Sequence, residues 1–188
     1  MRIDAGACTD VGRVRVNNED CYRVVPEIGL FVLSDGMGGE AHGEIASALA
    51  VDTIATHCLE AANTLSTPFF GEPRPDLCEK TNRLTSAVNL ANRRIYEAAL
   101  SSPTQRGMGA TILAAWIDGQ HLSLVHVGDS RAYLLRPGVL HQLTSDHSLV
   151  AEQVRRGLIT PQQADTSTMQ SVLIRALGTR EQVEADAD

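Results

Sequence analysis

The sequence has 188 residues, 43% hydrophobic, 21% charged and 4% aromatic, which suits one globular domain and is too apolar for a disordered chain. A formal net charge of -7 excludes a broad basic footprint for nucleic acid or anionic lipid, because non-specific phosphate binding rests on clustered Lys and Arg. No stretch approaches the roughly eighteen consecutive apolar residues of a membrane span. Met1-Arg2-Ile3-Asp4 lacks the apolar region of a secretory signal, so the chain is expected in the cytoplasm, away from membranes. Cys8, Cys21, Cys58 and Cys78 form no C-x-x-C pair, and none is followed by the Arg that a tyrosine-phosphatase-type cysteine needs. Four reduced, mostly buried thiols are expected.

Strand patterns open the chain: Ile3 to Thr9, Cys21 to Val25, then Leu30-Phe31-Val32-Leu33-Ser34. The last is a continuous apolar run between Gly29 and Gly36, the pattern of a strand buried on both faces. From His42 to Ala62 the period becomes helical, with Ile45 and Leu49 beside an Ala-rich stripe. Pro68, Pro73 and Pro75 mark a loop, and a second long helix is expected over residues 77–100, with Leu84, Val88, Ala91, Ile95 and Ala98–Ala99 on its apolar face. Four strands follow in a meander: Ala110 to Ile117, Leu122 to Val127, Ala132 to Leu135 and Val139 to Leu143. Turns at Asp118-Gly119, Gly128–Ser130 and Pro137-Gly138 separate them. Helix returns over Asp146 to Arg156, capped by Asp146 or Ser145. Thr160-Pro161-Gln162-Gln163 then has the cap, the proline and the Gln of a further helix start. Strands, two adjacent helices, then strands give an α+β class.

Four segments carry chemistry. They are Thr9-Asp10-Val11-Gly12-Arg13-Val14-Arg15-Val16-Asn17-Asn18-Glu19-Asp20, Ser34-Asp35-Gly36-Met37-Gly38-Gly39, Gly128-Asp129-Ser130-Arg131 and Thr144-Ser145-Asp146-His147-Ser148. Asp35 ends an apolar strand ahead of a Gly-rich turn, and Glu19-Asp20 adds an acidic pair before the neighbouring strand. Acids on adjacent strand ends are the layout for one or two hard divalent cations, which take carboxylate and carbonyl oxygens. Gly36-Met37-Gly38-Gly39-Glu40-Ala41 also fits the G-x-G-x-x-A dinucleotide pattern. Asp35 would set a negative charge beside a pyrophosphate, however, and a second helix follows the first where a β-α-β unit needs a strand. His57, His121, His126 and His141 sit in helix or strand patterns without ligand spacing.

Together and in this order, T-D-x-G-x-x-R-x-x-N-x-D, D-G-M-G-G, G-D-S-R and T-x-D-H resemble the bacterial metal-dependent serine/threonine protein phosphatases, the type 2C-like or PPM family. The resemblance spans essentially the whole chain. It implies an antiparallel β-sandwich flanked by helices, formed by residues 1–188 as a single catalytic domain. It implies hydrolysis of phosphoserine and phosphothreonine in proteins by a metal-activated water, without a phosphoenzyme. Residue by residue, it gives Asp35 the bridge between two Mn²⁺ or Mg²⁺ ions and gives the Gly36 carbonyl one of them. Glu19 and Asp20 hold that ion or its water shell, Arg15 grips the substrate phosphate, and Asp129 serves a possible third ion. Asp146 and His147 are assigned to structure. Phosphoproteins made by a partner kinase are the implied substrates, and a monomer is expected.

Two positions depart from the family pattern. Met37 stands where many members outside bacteria have a His proposed as general acid. The family also has two late metal-binding aspartates, in S-D-G and D-N contexts. After Asp146 this sequence has only Asp165, Asp186 and Asp188, none followed by Gly or Asn. A domain lacking its C-terminal strands is therefore expected, with Asp186 and Asp188 at the start of a strand. An inactive module that binds phosphoproteins is the alternative.

Overall fold

Strand β1 (Asp20–Val25) and strand β2 (Leu30–Met37) form an antiparallel hairpin, joined by a turn in which Gly29 takes φ +71°. A Cβ on Gly29 would run into the Ile117 carbonyl of the next strand over, so only glycine lets the hairpin close against it. The computed structural model describes residues 2–38, 42–64 and 66–188. Strands β3 (Gly109–Ala110), β4 (Ile112–Asp118), β5 (His121–Val127) and β8 (Asp186–Ala187) complete an antiparallel sheet of order β1-β2-β4-β5-β8, with β3 paired to the end of β2. Strands β6 (Tyr133–Arg136) and β7 (Val139–Gln142) make a separate two-stranded sheet. The α+β class and the antiparallel pairing agree with the sequence, but the expected four-strand meander breaks after β5, which pairs with β8 while β6 and β7 pair only with each other.

Helices α1 (Gly43–Asn63) and α2 (Glu79–Ser101) pack on each other and on one face of the large sheet. Period-two alternation sends Leu30, Val32, Ala114, Trp116 and Val125 to that face, where they meet Ala46, Ala50, Ile54, Leu84, Val88 and Ile95. Ala46, Ala50 and Ala55 of α1 are fully buried and let the helix approach the sheet, Ile54 and Val51 fill the core beside them, and Ile45 and Leu49 pack at the margin. Asn92 on α2 ties in the chain after Leu177: its Oδ1 accepts from the Gly178 N–H, and its Nδ2 donates to the carbonyls of Arg180 and Glu181. Helices α3 (Leu149–Arg155) and α4 (Pro161–Asp165) complete the fold. The Thr160–Gln163 capping box forms as expected.

Several expectations need correction. No strand forms over Ile3 to Thr9, since no strand among the described residues offers that segment a ladder. Strand β2 is half-buried: both long helices cover the same face, and Leu33 on the other is 43% exposed. Ser148 caps α3, accepting from the Ala151 N–H, because Asp146 is engaged by Arg131. Only Cys58 is buried; Cys8 and Cys78 are exposed and Cys21 is intermediate, and all four are free thiols. Helix α1, at 21 residues with mean hydropathy 1.2, is long and apolar enough to cross a membrane by length and composition. Half of that window is buried inside the fold, as a core helix requires. Gly39, Glu40 and Ala41 of the Gly-rich segment lie outside the described residues.

Candidate active site

The β1–β2 register decides which acids meet. Asp20 pairs with Asp35 across the ladder, and both lie on the sheet face turned away from the helices. Glu19, just before β1, accepts through its backbone carbonyl from the Gly36 N–H at 3.0 Å and from the Ser47 hydroxyl of α1 at 2.6 Å. Its carboxylate rests against the Cα of Gly43 at the start of α1; a Cβ there would stand 2.8 Å from Glu19 Oε1. A cleft of about 920 Å³ opens over these groups. Asp10, Arg15, Glu19, Asp20, Asp35, Gly36, Thr111 and Asp129 line it, with Ser171 and Leu173 on its far wall.

All six candidate site residues from the sequence therefore line one cleft. The late aspartates do not: Asp165 ends α4, and Asp186 turns toward His147 and Arg175.

Electrostatics single out Asp35. Although its side chain opens to the cleft, partial burial raises its carboxyl above the usual carboxylate range, and the charges of Asp20, Asp129 and Glu19 raise it further. Such a cluster is an oxygen-rich site for a hard cation, and its donor set fits Mn²⁺ or Mg²⁺. Among the described residues Arg15 has no ion-pair partner, which leaves its guanidinium available to a bound anion.

Sequence reasoning missed what fixes this geometry. The Thr111 hydroxyl accepts from the Asp35 N–H at 2.9 Å and meets the Ser130 hydroxyl at 2.8 Å, while the Thr111 N–H donates to the Asp35 carbonyl at 2.8 Å. One side chain thus ties the β2 aspartate to the turn that carries Asp129. Its only mark in the sequence is a lone hydroxyl inside an apolar run, buried in the fold. Asn18 does similar work for Asp20: its Oδ1 accepts from the Asp20 N–H, and its Nδ2 donates to Thr9 Oγ1, which in turn donates to Asp20 Oδ2.

The G-D-S-R and T-x-D-H segments lie side by side. Arg131 forms a two-point pair with Asp146 (2.9 and 2.6 Å), and the Ala132 N–H donates to Thr144 Oγ1. Gly128 bonds twice to His147, once through each backbone group. The contacts of Asp146 and His147, both assigned to structure, run to the Gly128–Arg131 turn that carries Asp129. His126, expected to lack ligand spacing, stacks on His147 with centroids 4.7 Å apart, and the pair approaches Asp186.

The chain matches the family described as Protein phosphatase 2C over residues 13–176. It is 41% identical over 171 residues to the serine/threonine protein phosphatase PstP of Mycobacterium tuberculosis, covering 91% of this chain but only 30% of that protein. Superposition on the serine/threonine phosphatase Stp1 from Staphylococcus aureus gives a TM-score of 0.82 at 31% identity, covering 96% of this chain and 68% of that one. The catalytic domain of PstP in complex with two manganese ions gives 0.73 at 36% identity, covering 94% and 68%. A match over most of the chain, carried by the segments that build the cleft, places this protein in the protein phosphatase 2C family.

Proposed function

We propose that this chain is a metal-dependent protein serine/threonine phosphatase. The observation that carries the reading is the convergence of Asp35, Asp20, Glu19 and Asp129 on one cleft with Arg15. Four carboxylates repel an anionic substrate, so phosphate binding there requires cations, and the related PstP domain holds two manganese ions. In this chain Asp35, the Gly36 carbonyl, Asp20 and Glu19 would hold Mn²⁺ or Mg²⁺, with Asp129 available to a further ion. The bound metal supplies the acidity that activates water near neutral pH and the positive charge that offsets charge developing on the phosphoryl group.

The remaining work falls to protein groups. The planar Arg15 fork binds two phosphoryl oxygens and orients phosphorus toward the acidic floor. Thr111 fixes the Asp35 backbone, so its carboxylate is in place before substrate arrives. Asn18 and Thr9 fix the Asp20 carboxylate in the same way. Among the described residues no cysteine lines the cleft, so a cysteinyl-phosphate route has no nucleophile there, and the reading assigns the attack to water.

Residues 1–188 act in this reading as one catalytic domain, and the substrates are phosphoproteins produced by a partner kinase. In this reading the chain is a cytoplasmic monomer, and its net charge of -7 disfavours nucleic acid and anionic membrane as partners. Nothing in the cleft favours the alternative of an inactive phosphoprotein-binding module. The deciding experiment is phosphate release from phosphoserine and phosphothreonine peptides with Mn²⁺, with chelator, and after cysteine alkylation. Activity lost to chelation and spared by alkylation supports the reading. The reverse pattern overturns it.

A further inference from the structure

We propose that His147 is a positioning residue for Asp129, holding the Gly128–Ser130 turn in the cleft through a hydrogen bond that only one tautomer of its ring can accept. The proposal rests on the reading of Asp129 as part of the phosphatase site. Gly128 immediately precedes Asp129 and adopts φ +107°, where a Cβ would stand 2.7 Å from Thr111 Cβ, so the turn is pressed against the residue that braces Asp35. His147 holds Gly128 by both backbone groups: the His147 N–H donates to the Gly128 carbonyl at 2.9 Å, and the Gly128 N–H donates to His147 Nδ1 at 3.2 Å.

A backbone N–H can only donate, so Nδ1 must be the bare nitrogen, and the ring proton sits on Nε2. Nε2 faces Asp186 Oδ2 at 3.2 Å, and Asp186 Oδ1 accepts from the Arg175 guanidinium at 2.8 Å. The carboxylate thus selects the tautomer that Gly128 needs, and Arg175 fixes the carboxylate. The His147 side chain is 2% exposed and its ring stacks on His126, whose Nε2 donates to the Ser145 carbonyl. A chain of contacts runs from β8 through His147 to the acidic turn.

His126, His147 and Asp186 each offer a ligand atom within 4.8 Å of the others, the spacing of a small metal centre. Arg175 argues against one: its guanidinium lies 3.3 Å from His147 Nε2 and already supplies the positive charge beside Asp186. The tautomer relay accounts for the Gly128 and Asp186 contacts, and the Arg175 guanidinium, which can only donate, is engaged by the Asp186 carboxylate.

Two substitutions at His147 in the full 188-residue chain separate positioning from mere space-filling. His147→Asn keeps an acceptor near the Nδ1 position and loses the reach to Asp186. His147→Gln reaches Asp186 and leaves nothing for the Gly128 N–H. The readouts are the backbone amide resonances of Gly128, Asp129 and Ser130, and Mn²⁺ affinity by calorimetry with Asp129→Ala as reference. The Asn variant is expected to keep the three resonances near their wild-type positions. The Gln variant is expected to displace and broaden them and to lower the Asp129-dependent Mn²⁺ affinity roughly tenfold, the usual cost of losing an outer-shell partner. Equal behaviour of the two variants, or undisturbed resonances in both, overturns the proposal.

If both variants fail to fold, the wild-type ring decides. Long-range nitrogen–proton spectra should report Nδ1 bare, and Asp186→Asn should increase the Nδ1-protonated fraction and move the Gly128 amide. A wild-type ring protonated at Nδ1 overturns the proposal. Should Asp129→Ala leave Mn²⁺ binding unchanged, the metal role of Asp129 fails, while the amide spectra still decide the role of His147.

Discussion

Asp20 and Asp35 face each other directly across the β1–β2 ladder, two carboxylates at a position where a sheet disfavours like charges. The strain falls mainly on Asp35, which Asp129 and Glu19 also crowd. Its carboxyl is raised in the fold, so the native state holds a proton there that the unfolded chain has released. The metal-free chain therefore loses stability as pH rises from the ordinary carboxylate range through the raised value. Asp35→Asn is expected to raise the melting temperature of the chelated chain at pH 7 by about 2 °C. The same substitution should abolish Mn²⁺-dependent phosphate release. Scanning calorimetry in chelator and a phosphopeptide assay check the two halves.

Arg15→Ala separates substrate binding from metal binding. A two-point, charge-assisted contact to phosphate contributes about 1.5–3 kcal/mol. The expected outcome is a KM for phosphopeptide raised roughly ten- to hundredfold. Mn²⁺ affinity by calorimetry should stay within about twofold, because the arginine offers no oxygen to a hard cation.

Thr111→Val keeps the shape of a buried side chain and deletes the hydroxyl that joins Asp35 to Ser130. The Asp35 N–H and the Ser130 hydroxyl both lose this partner, at a cost of about 1–3 kcal/mol in unfolding free energy by urea titration. Activity should fall by more than stability alone explains, since both candidate metal-ligand elements lose their common brace.

Acid sensitivity follows from two buried imidazoles. Burial lowers the pKa of His147, against the opposing pull of Asp186 and with help from His126 and Arg175; burial likewise lowers His57, against Glu60 and with help from Arg83 and Arg94. Each ring is neutral in the fold at a pH where the unfolded chain protonates it. Their contribution to stability is complete above about pH 6.5 and is lost as pH falls through the lowered folded values. Asp186 is pushed up by burial, but the hydrogen bonds from His147 and Arg175 outweigh this and hold it low, so the pair is a neutral imidazole donating to a carboxylate. Urea midpoints measured from pH 7.5 down to 5 should decline, and His147→Asn should flatten that decline.

Ligand count sets the metal stoichiometry of these 188 residues. The cleft gathers Asp35, Asp20, Glu19 and Asp129, and no aspartate after residue 146 reaches it. Mn²⁺ and Mg²⁺ affinities follow charge and the number of oxygen ligands. Weak Mn²⁺ binding is expected by calorimetry, with phosphate release measurable only at saturating Mn²⁺. Two tight sites with robust turnover would mean that other residues complete the shell.

The order and period of the chain were legible without coordinates wherever one residue type dictates a local outcome. Gly119 and Gly138 mark turns because they take positive φ, Pro161 and the Thr160–Gln163 box start α4, and the spacing of Leu84, Val88, Ala91 and Ile95 fixes the buried face of α2. The acidic strand ends were legible as a possible cation site from residue type, whereas Arg15 gained its role only through the resemblance that the four motifs carry together. Partnership between distant segments was not legible. Ile3 to Thr9 has a strand pattern and no ladder, and a pairing partner is not a property of the segment itself. Thr111 looked like an interruption in a hydrophobic strand until the β2–β4 pairing set it beside Asp35. His147 reads in the sequence only as structural, and its partners, Gly128 at one nitrogen and Asp186 at the other, come from the fold. Residue chemistry and period act over a few positions and are written in the sequence; which donor meets which acceptor depends on backbone paths that only tertiary packing decides.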